Sequence, residues 1–179
     1  MKPVRPRYTK INAEVDRLLT AANVKKAPVP VDKIAAAVGA EVVYRNFNDE
    51  VSGLLIRKKG SVVIGVDNKQ ALQRQRFTIA HEVGHLLLHD GDEVHVDKHF
   101  RVNLRSSLSS KAEDVEEIEA NAFAAALLMP MAFLIRDLQG ETLDIDDEIK
   151  IGELAKRYGV SVQAMTFRLM NVFALDRGR

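Results

Sequence analysis

The sequence predicts an α+β fold in which a small antiparallel sheet packs on a helical core, with a C-terminal helical segment like a helix-turn-helix. Three observations carry this prediction: β-prone apolar runs cluster within 42–66, helix-compatible runs flank that region on both sides, and a glycine interrupts the last helical stretch at position 159. With 179 residues, the chain has the length for one main domain at 1–140 and a small appendage at 141–179.

The N-terminal elements are predicted from capping residues and apolar spacing. Residues 1–8 are basic and have no apolar run behind them, so they are expected to form a disordered arm rather than a signal peptide. Thr9 is expected to cap a first helix. A short helix at about 31–38 follows a proline-marked turn, and Gly39 suits the position beyond its end. The inward stripe of the first helix is Ile11, Val15, Leu18, Leu19 and Ala22.

Three strands are predicted before the next helix. Residues 42–44 form the first, and the runs at 52–57 and 61–66 form a hairpin around Lys58-Lys59-Gly60. Asp67 or Asn68 is expected to cap the long helix that comes next.

That long helix contains the motif His-Glu-x-x-His at positions 81–85, inside a run that is apolar nearly all round. His81 and His85 lie about 40° apart on one helix face, where both imidazoles can reach one zinc ion. Glu82 is placed to act as a general base on a water molecule rather than as a ligand. Chance matches to this motif occur, but a buried helix rarely carries such polar groups unless something satisfies them. Gly84 is better explained by close approach of a backbone or a substrate than by helix propensity.

A catalytic zinc site needs a third protein ligand, and the chain has no cysteine to supply it. A second helix is predicted from a capping box at 110–113 to Pro130. Its first turns offer Glu116, Glu117 and Glu119. Glu117 is favoured because Asn121, one turn later, could hydrogen-bond a ligand imidazole, although spacing alone leaves Glu116 open.

The two motifs together, at 74–89 and 117–130, resemble the ImmA/IrrE family of metallo-endopeptidases. The resemblance extends upstream to 28–35 and 52–55. It implies that His81, His85 and Glu117 bind Zn²⁺ and that Glu82 is the catalytic base. Members of that family are intracellular proteins of bacteria or phages. Several cleave a helix-turn-helix repressor, often encoded nearby, and so control mobile-element or stress-response genes.

The resemblance therefore implies a cytoplasmic zinc endopeptidase whose substrate is a regulatory protein, such as a repressor of the XRE type. The alternative is a DNA- or protein-binding regulator with a non-catalytic zinc site. The intact Glu82 argues against that alternative, because a structural zinc site needs ligands and no base.

Several residues are candidates for stabilising the oxyanion of a peptide-hydrolysis transition state, namely His89, His95, His99 and Tyr158. His89 lies near a helix end, where it is expected to satisfy terminal carbonyls instead. The polar segment 91–110 is expected to be a mobile lid, and an edge strand of the sheet could align an extended substrate. The sequence does not say which strand lies at the edge.

The C-terminal segment is expected to form two helices around a turn at Gly159, with Ser161 capping the second helix. The inward-facing residues are Leu154, Ala155, Val160, Ala164, Met165 and Leu169. If the second helix entered a DNA groove, it would present Gln163, Thr166 and Arg168 outward. A small platform packed on the main domain is favoured instead, because basic and acidic residues alternate there and the net charge is only +1.

The composition agrees with an intracellular setting. Zero cysteine fits a reducing compartment, and no apolar run is expected to reach the roughly 20 residues of a membrane span. No membrane partner is therefore predicted.

Overall fold

The computed structural model describes residues 4–47, 51–91, 93–98, 112–138 and 147–176. These residues form seven helices and four strands. In chain order they are α1 (Tyr8–Ala21), α2 (Val31–Ala37), β1 (Ala40–Arg45), β2 (Val51–Lys58), β3 (Ser61–Asp67), α3 (Leu72–Leu88), β4 (Val94–Lys98), α4 (Ala112–Leu128), α5 (Met131–Leu138), α6 (Glu148–Tyr158) and α7 (Val162–Asp176). The α+β class predicted from the sequence is therefore confirmed.

The four strands form one mixed sheet in the order β1-β3-β2-β4. The expectation of a wholly antiparallel sheet was wrong, because β1 pairs with β3 in parallel. The predicted β2–β3 hairpin is present. Its second strand, β3, pairs with β1 and lies between β1 and β2. The chain therefore skips one strand position between β1 and β2, and β3 then runs parallel to β1. Among the described residues, the edge strands are β1 and β4.

Strand β4 lies within the segment that was expected to be a loop, so this part of the expectation was wrong. It pairs antiparallel with β2, with His95 opposite Leu55. Val94 and Val96 are 51% and 40% exposed, so the apolar residues of this strand face away from the core. The alternation of apolar and polar residues at 94–97 fits a strand, but it spans only four residues of a polar segment. Residues 99–110 of the expected lid, including His99, lie outside the described residues.

The first helix begins at Tyr8, so Thr9 lies inside it and the expected Thr9 cap was wrong. Arg7 occupies the N-cap position and is held by contacts to Glu119 of α4, so the described end of the expected arm is anchored there. The inward stripe is confirmed, since Ile11, Val15, Leu18 and Leu19 are all buried. Helix α2 is confirmed as well, and Gly39 beyond its end has a φ of +82°, a conformation that glycine adopts without strain.

Helix α3 begins after Ala71, not after an aspartate or asparagine cap. Asp67 is the last residue of β3, and its carboxylate accepts a hydrogen bond from the backbone N–H of Lys69 within a turn. The middle of α3 is buried from Thr78 to His85, as its apolar character predicts. Positions 110 and 111 of the expected capping box lie outside the described residues, and α4 is described from Ala112.

Helix α4 ends at Leu128 before Pro130, as predicted, but the short helix α5 that follows was missed. One described segment, Val115–Leu138, has the length and apolar composition of a membrane span, so the expectation that no run reaches this length was wrong. Because 56% of its most apolar window is buried inside the structure, it fits the core helix of a folded domain equally well.

The hydrophobic core lies between helices α1, α3 and α4 and one face of the sheet. Its fully buried members include Ile34, Leu55, Ile64, Ile79, Phe123 and Leu127. The sheet and α4 thus enclose the middle of α3, where Thr78 to His85 are buried.

Helices α6 and α7 are joined by a short turn, in which Gly159 has a φ of +65° and Ser161 Oγ accepts a hydrogen bond from the backbone N–H of Ala164. Both local features match the sequence analysis. Arg168 differs from the DNA-reading arrangement, because its Nε donates to the backbone oxygen of Met129. Burial also lowers the pKa of its guanidinium. Whether this helix pair acts as a helix-turn-helix stays a prediction.

Candidate metal centre

Four side chains from three elements bring potential metal-binding atoms within 4.8 Å of one another. His81 and His85 come from α3, Glu117 comes from α4, and His95 comes from β4. The Nε2 atoms of His81 and His85 are 3.0 Å apart. The Glu117 carboxylate lies 3.4 Å from His81 Nε2 and 3.1 Å from His85 Nε2, and 3.6 Å from His95 Nε2.

Among the three glutamates that the sequence offered, Glu117 is the one that meets the two histidines of α3. Glu119 points elsewhere and is fully buried against Arg7 and His89. The structure therefore brings together the three residues expected as ligands, and it adds His95.

The close approach of α3 and α4 explains how Glu117 reaches the histidines. A Cβ atom at Gly84 would lie only 3.2 Å from the Cα of Ala120 and 3.2 Å from Phe123. The glycine thus lets the two helix backbones come together directly between His81 and His85 on one side and Glu117 on the other. Of the two explanations weighed for this glycine, the approach of a backbone is the one observed.

Glu82 is fully buried on α3 and faces the sheet. A Cβ atom at Gly53 of β2 would lie 2.8 Å from Glu82 Oε1 and 2.6 Å from Thr78 Cγ2. Only glycine therefore leaves room for the Glu82 carboxylate against this strand. The register between β2 and β4 shifts at the same place, between Val51 and Gly53.

Asn121 lies where the sequence analysis expected it, with Oδ1 3.0 Å from His81 Nδ1. An amide oxygen can only accept, so this contact places the ring hydrogen of His81 on Nδ1 and a lone pair on Nε2. The Nε2 lone pair then faces the other members of the cluster.

His89 has a different environment from the one expected. Its Nδ1 lies 3.2 Å from His85 Nδ1, and its Nε2 lies 3.0 Å from Glu119 Oε2. The terminal carbonyls of α3 are satisfied by arginines instead, since Arg57 donates to the oxygen of His85 and Arg7 to the oxygen of Leu88. The expectation that His89 fills this role was wrong.

Tyr158 is also placed differently from its candidate role. The side chain is buried, and its hydroxyl donates to Asp137 Oδ2 on α5 at 2.9 Å. Burial and this hydrogen bond raise the pKa of the phenol well above its usual value. The hydroxyl is thus engaged in the packing of α6 on α5.

The charge states of the cluster follow from burial and from its short contacts. Burial lowers the pKa of His85 to about 3 from its usual 6.5, so the ring is neutral near pH 7. Burial alone would raise the pKa of Glu117, but contacts with the imidazoles of His81 and His85 outweigh it and hold the pKa below its usual value. The site therefore combines the neutral imidazole of His85 with an ionised carboxylate, the forms in which these groups bind metals.

This donor set fits a divalent cation. Two imidazole nitrogens and a carboxylate lie 3.0–3.4 Å from one another, close enough to share one ion. Three nitrogen and carboxylate oxygen ligands are typical of catalytic zinc sites, in which the fourth position is left to a water molecule or a substrate.

Comparisons with known proteins agree with the geometry. The family described as the IrrE N-terminal-like domain, a peptidase family, matches residues 35–170, and the chain belongs to this family. Two similar relatives are both named radiation response metalloprotease IrrE. The one from Deinococcus deserti is 37% identical over 107 residues, and the one from Deinococcus radiodurans is 34% identical over 109 residues.

The matched region is 60% of this chain in both cases but only 35% and 30% of the two relatives, so the chain spans about a third of their length. A solved structure of a Mycobacterium tuberculosis transcriptional regulator has a TM-score of 0.58 and 18% identity. The aligned region covers 88% of this chain and 45% of the chain in the solved structure. At this identity the likeness concerns the fold alone.

Proposed function

We propose that this chain is a zinc-dependent endopeptidase. The observation that carries the proposal is the cluster of two imidazoles and one carboxylate, whose helix α3 also carries a further buried glutamate. In the proposed site, His81, His85 and Glu117 bind Zn²⁺, and Glu82 does not. Membership of a metalloprotease family makes this assignment more specific than geometry alone would.

The metal site and Glu82 have different roles in the proposed peptide hydrolysis. When bound, zinc supplies Lewis acidity that lowers the pKa of a water molecule and polarises the scissile carbonyl. Glu82 accepts a proton from the attacking water and passes it to the leaving amine. The fully buried position of Glu82 against Gly53 restricts its carboxylate to one orientation, which favours proton transfer at a fixed place.

His95 is the candidate for stabilising the oxyanion that best fits the geometry. Its ring centroid is 4.2 Å from that of His85, and it belongs to the edge strand β4 rather than to the helix that carries the ligands. A substrate strand aligned along β4 would therefore place its scissile carbonyl near this imidazole. His89 and Tyr158 have buried partners of their own and lack this access.

We further propose that the substrate is a regulatory protein of the cytoplasm, in the class of helix-turn-helix repressors. The family resemblance supports this class, and the relatives named for a radiation response connect the family with stress. The absence of cysteine from the sequence is in keeping with a reducing compartment.

The alternative of a DNA-binding regulator has weaker support. Arg168, which a DNA-reading helix would present outward, instead donates to the backbone oxygen of Met129. We therefore propose that α6 and α7 form a platform on the peptidase domain. A salt-dependent affinity for duplex DNA would favour the alternative.

Glu82→Gln is the decisive variant for the proposed activity. Wild type and variant, each loaded with zinc, are incubated with helix-turn-helix repressors encoded near the gene, and cleavage is followed by mass spectrometry. We expect wild-type cleavage at one peptide bond and a loss of at least about 100-fold in the variant, with equal zinc content. Equal cleavage by both proteins would refute the role of Glu82.

A further inference from the structure

A line of buried side chains connects His85 with the N-terminal end of the chain. His85 Nδ1 lies 3.2 Å from His89 Nδ1, and His89 Nε2 lies 3.0 Å from Glu119 Oε2. Arg7 then donates to Glu119 from Nε at 2.9 Å, from Nη2 at 2.6 Å and from its backbone N–H at 2.6 Å. These contacts continue away from the cluster, on the side of His85 opposite to Glu117.

The burial of this line makes its hydrogen bonds obligatory. The side chains of Glu119, His89 and His85 are 0%, 2% and 4% exposed. An ionised carboxylate in such a place requires charge-assisted donors, and the three hydrogen bonds from Arg7 supply them. Glu119 therefore has a defined orientation and presents one oxygen to His89.

The positions of the ring hydrogens follow from the donor and acceptor capacities of the groups. An ionised carboxylate only accepts, so His89 carries its hydrogen on Nε2. One of the two facing Nδ1 atoms must carry the hydrogen between them, and where it is His85 Nδ1, His89 Nδ1 accepts. In that arrangement His85 is left with a lone pair on Nε2, which is the atom 3.1 Å from Glu117 Oε1.

We propose that Arg7, Glu119 and His89 form a positioning chain that holds His85 in the tautomer and orientation in which Nε2 binds the metal. The inference rests on the proposed zinc site and deepens it. Each ligand histidine then has its own orienting group. Asn121 contacts His81 directly, and the positioning chain contacts His85 through His89. Such partners increase the basicity of the ligand and fix its ring.

The positioning chain also couples the first helix to the site. Arg7 immediately precedes α1 and lies outside the segment 35–170 that matches the family. The sequence separation between Arg7 and Glu119 is 112 residues, so the contact forms only when α1 docks on α4. Metal affinity therefore depends on the docking of α1.

Two substitutions of His89 separate positioning from packing. His89→Phe fills the space but breaks the line of hydrogen bonds, whereas the amide of His89→Gln can accept from His85 and donate to Glu119. Leu88→Ala is the matched control, because it shortens a buried side chain next to His89 and keeps the backbone oxygen to which Arg7 donates. Zinc affinity is measured by competition with a chromophoric chelator. The tautomer of His85 in the metal-free protein is read from long-range ¹H–¹⁵N correlation spectra.

We expect His89→Phe to weaken zinc binding about 10–100-fold, and His89→Gln and Leu88→Ala to stay within about threefold of wild type. His85 should carry its hydrogen on Nδ1 in wild type and His89→Gln, and shift towards Nε2 in His89→Phe. Equal zinc affinities of His89→Phe and Leu88→Ala, or a wild-type His85 protonated on Nε2, would overturn the proposal.

A second variant tests the positioning chain even if His89→Phe does not fold. Arg7 is 35% exposed, so Arg7→Met should fold and still weaken zinc binding at least about threefold; an unchanged affinity would count against the positioning chain. If wild type bound no zinc, the proposed function would fail, while the tautomer of His85 would still decide the proposal on its own.

Discussion

Replacing Gly84 with alanine tests whether the spacing between α3 and α4 sets the metal site. The added methyl group would lie 3.2 Å from the Cα of Ala120 and 3.2 Å from two atoms of Phe123, which is tighter than ordinary van der Waals contact. Because a backbone atom cannot rotate away, the two helices must separate by a few tenths of an ångström. Overpacking costs about 1–3 kcal/mol, which is partly offset by about 1 kcal/mol of helix propensity.

The net loss in the free energy of unfolding is therefore only about 0–2 kcal/mol. The effect on zinc affinity should be larger than the effect on the free energy of unfolding. Metal–ligand distances tolerate deviations of about 0.2 Å, and the separation of the helices moves Glu117 away from both histidines by more than that. We expect zinc affinity to fall about tenfold or more.

Urea unfolding of the metal-free protein and a zinc competition titration measure the two effects separately. Gly152→Ala in α6 is the control, because no neighbouring atom lies within 4 Å of its added methyl group. The control should gain about 0.5–1 kcal/mol of stability and keep its zinc affinity. The reasoning is refuted if Gly84→Ala gains stability like the control and binds zinc as wild type does.

Three further predictions address other parts of the site. His95→Ala should lower the turnover rate about 100-fold without loss of zinc, whereas zinc loss would make His95 a fourth ligand. Tyr158→Phe should lower the free energy of unfolding by about 1–2 kcal/mol, because the Asp137 carboxylate loses one of its donors while Arg136 still donates to it, and should leave turnover unchanged; a large fall in turnover would return the hydroxyl to the reaction. Because burial lowers the pKa of His85 from 6.5 to about 3, protonation favours the unfolded chain. The stability of the metal-free protein should therefore be highest above about pH 6.5 and fall towards pH 3. Urea unfolding at several pH values should show a weaker dependence for His85→Gln, and equal curves would contradict this.

The site was predictable from sequence where its geometry is local. One helix face places His81 and His85 together, and the spacing between Glu117 and Asn121 identifies one turn of a second helix. The presence of Gly84 already indicated close approach at this point. Such features need only the 3.6-residue period and the chemistry of the side chains.

Other features depend on tertiary contacts that no local pattern encodes. His95 was not expected in a strand, because the alternation of apolar and polar residues around it covers only four positions of a polar segment. The ion pair between Arg7 and Glu119 joins residues that are distant in sequence, and an arginine in a basic N-terminal segment resembles any solvated charge. The parallel pairing of β1 with β3 depends on which hairpin strand docks against β1, and residue types do not specify that choice.

The zinc content of the purified chain, measured by elemental analysis beside His85→Ala and Glu117→Ala, tests the proposed metal centre most directly. We expect about one zinc ion per wild-type chain and almost none in either variant, because each variant removes one of three protein ligands. Retention of zinc in Glu117→Ala would move the third ligand to another group. A wild-type chain that binds no zinc even after reconstitution would contradict the proposed peptidase function.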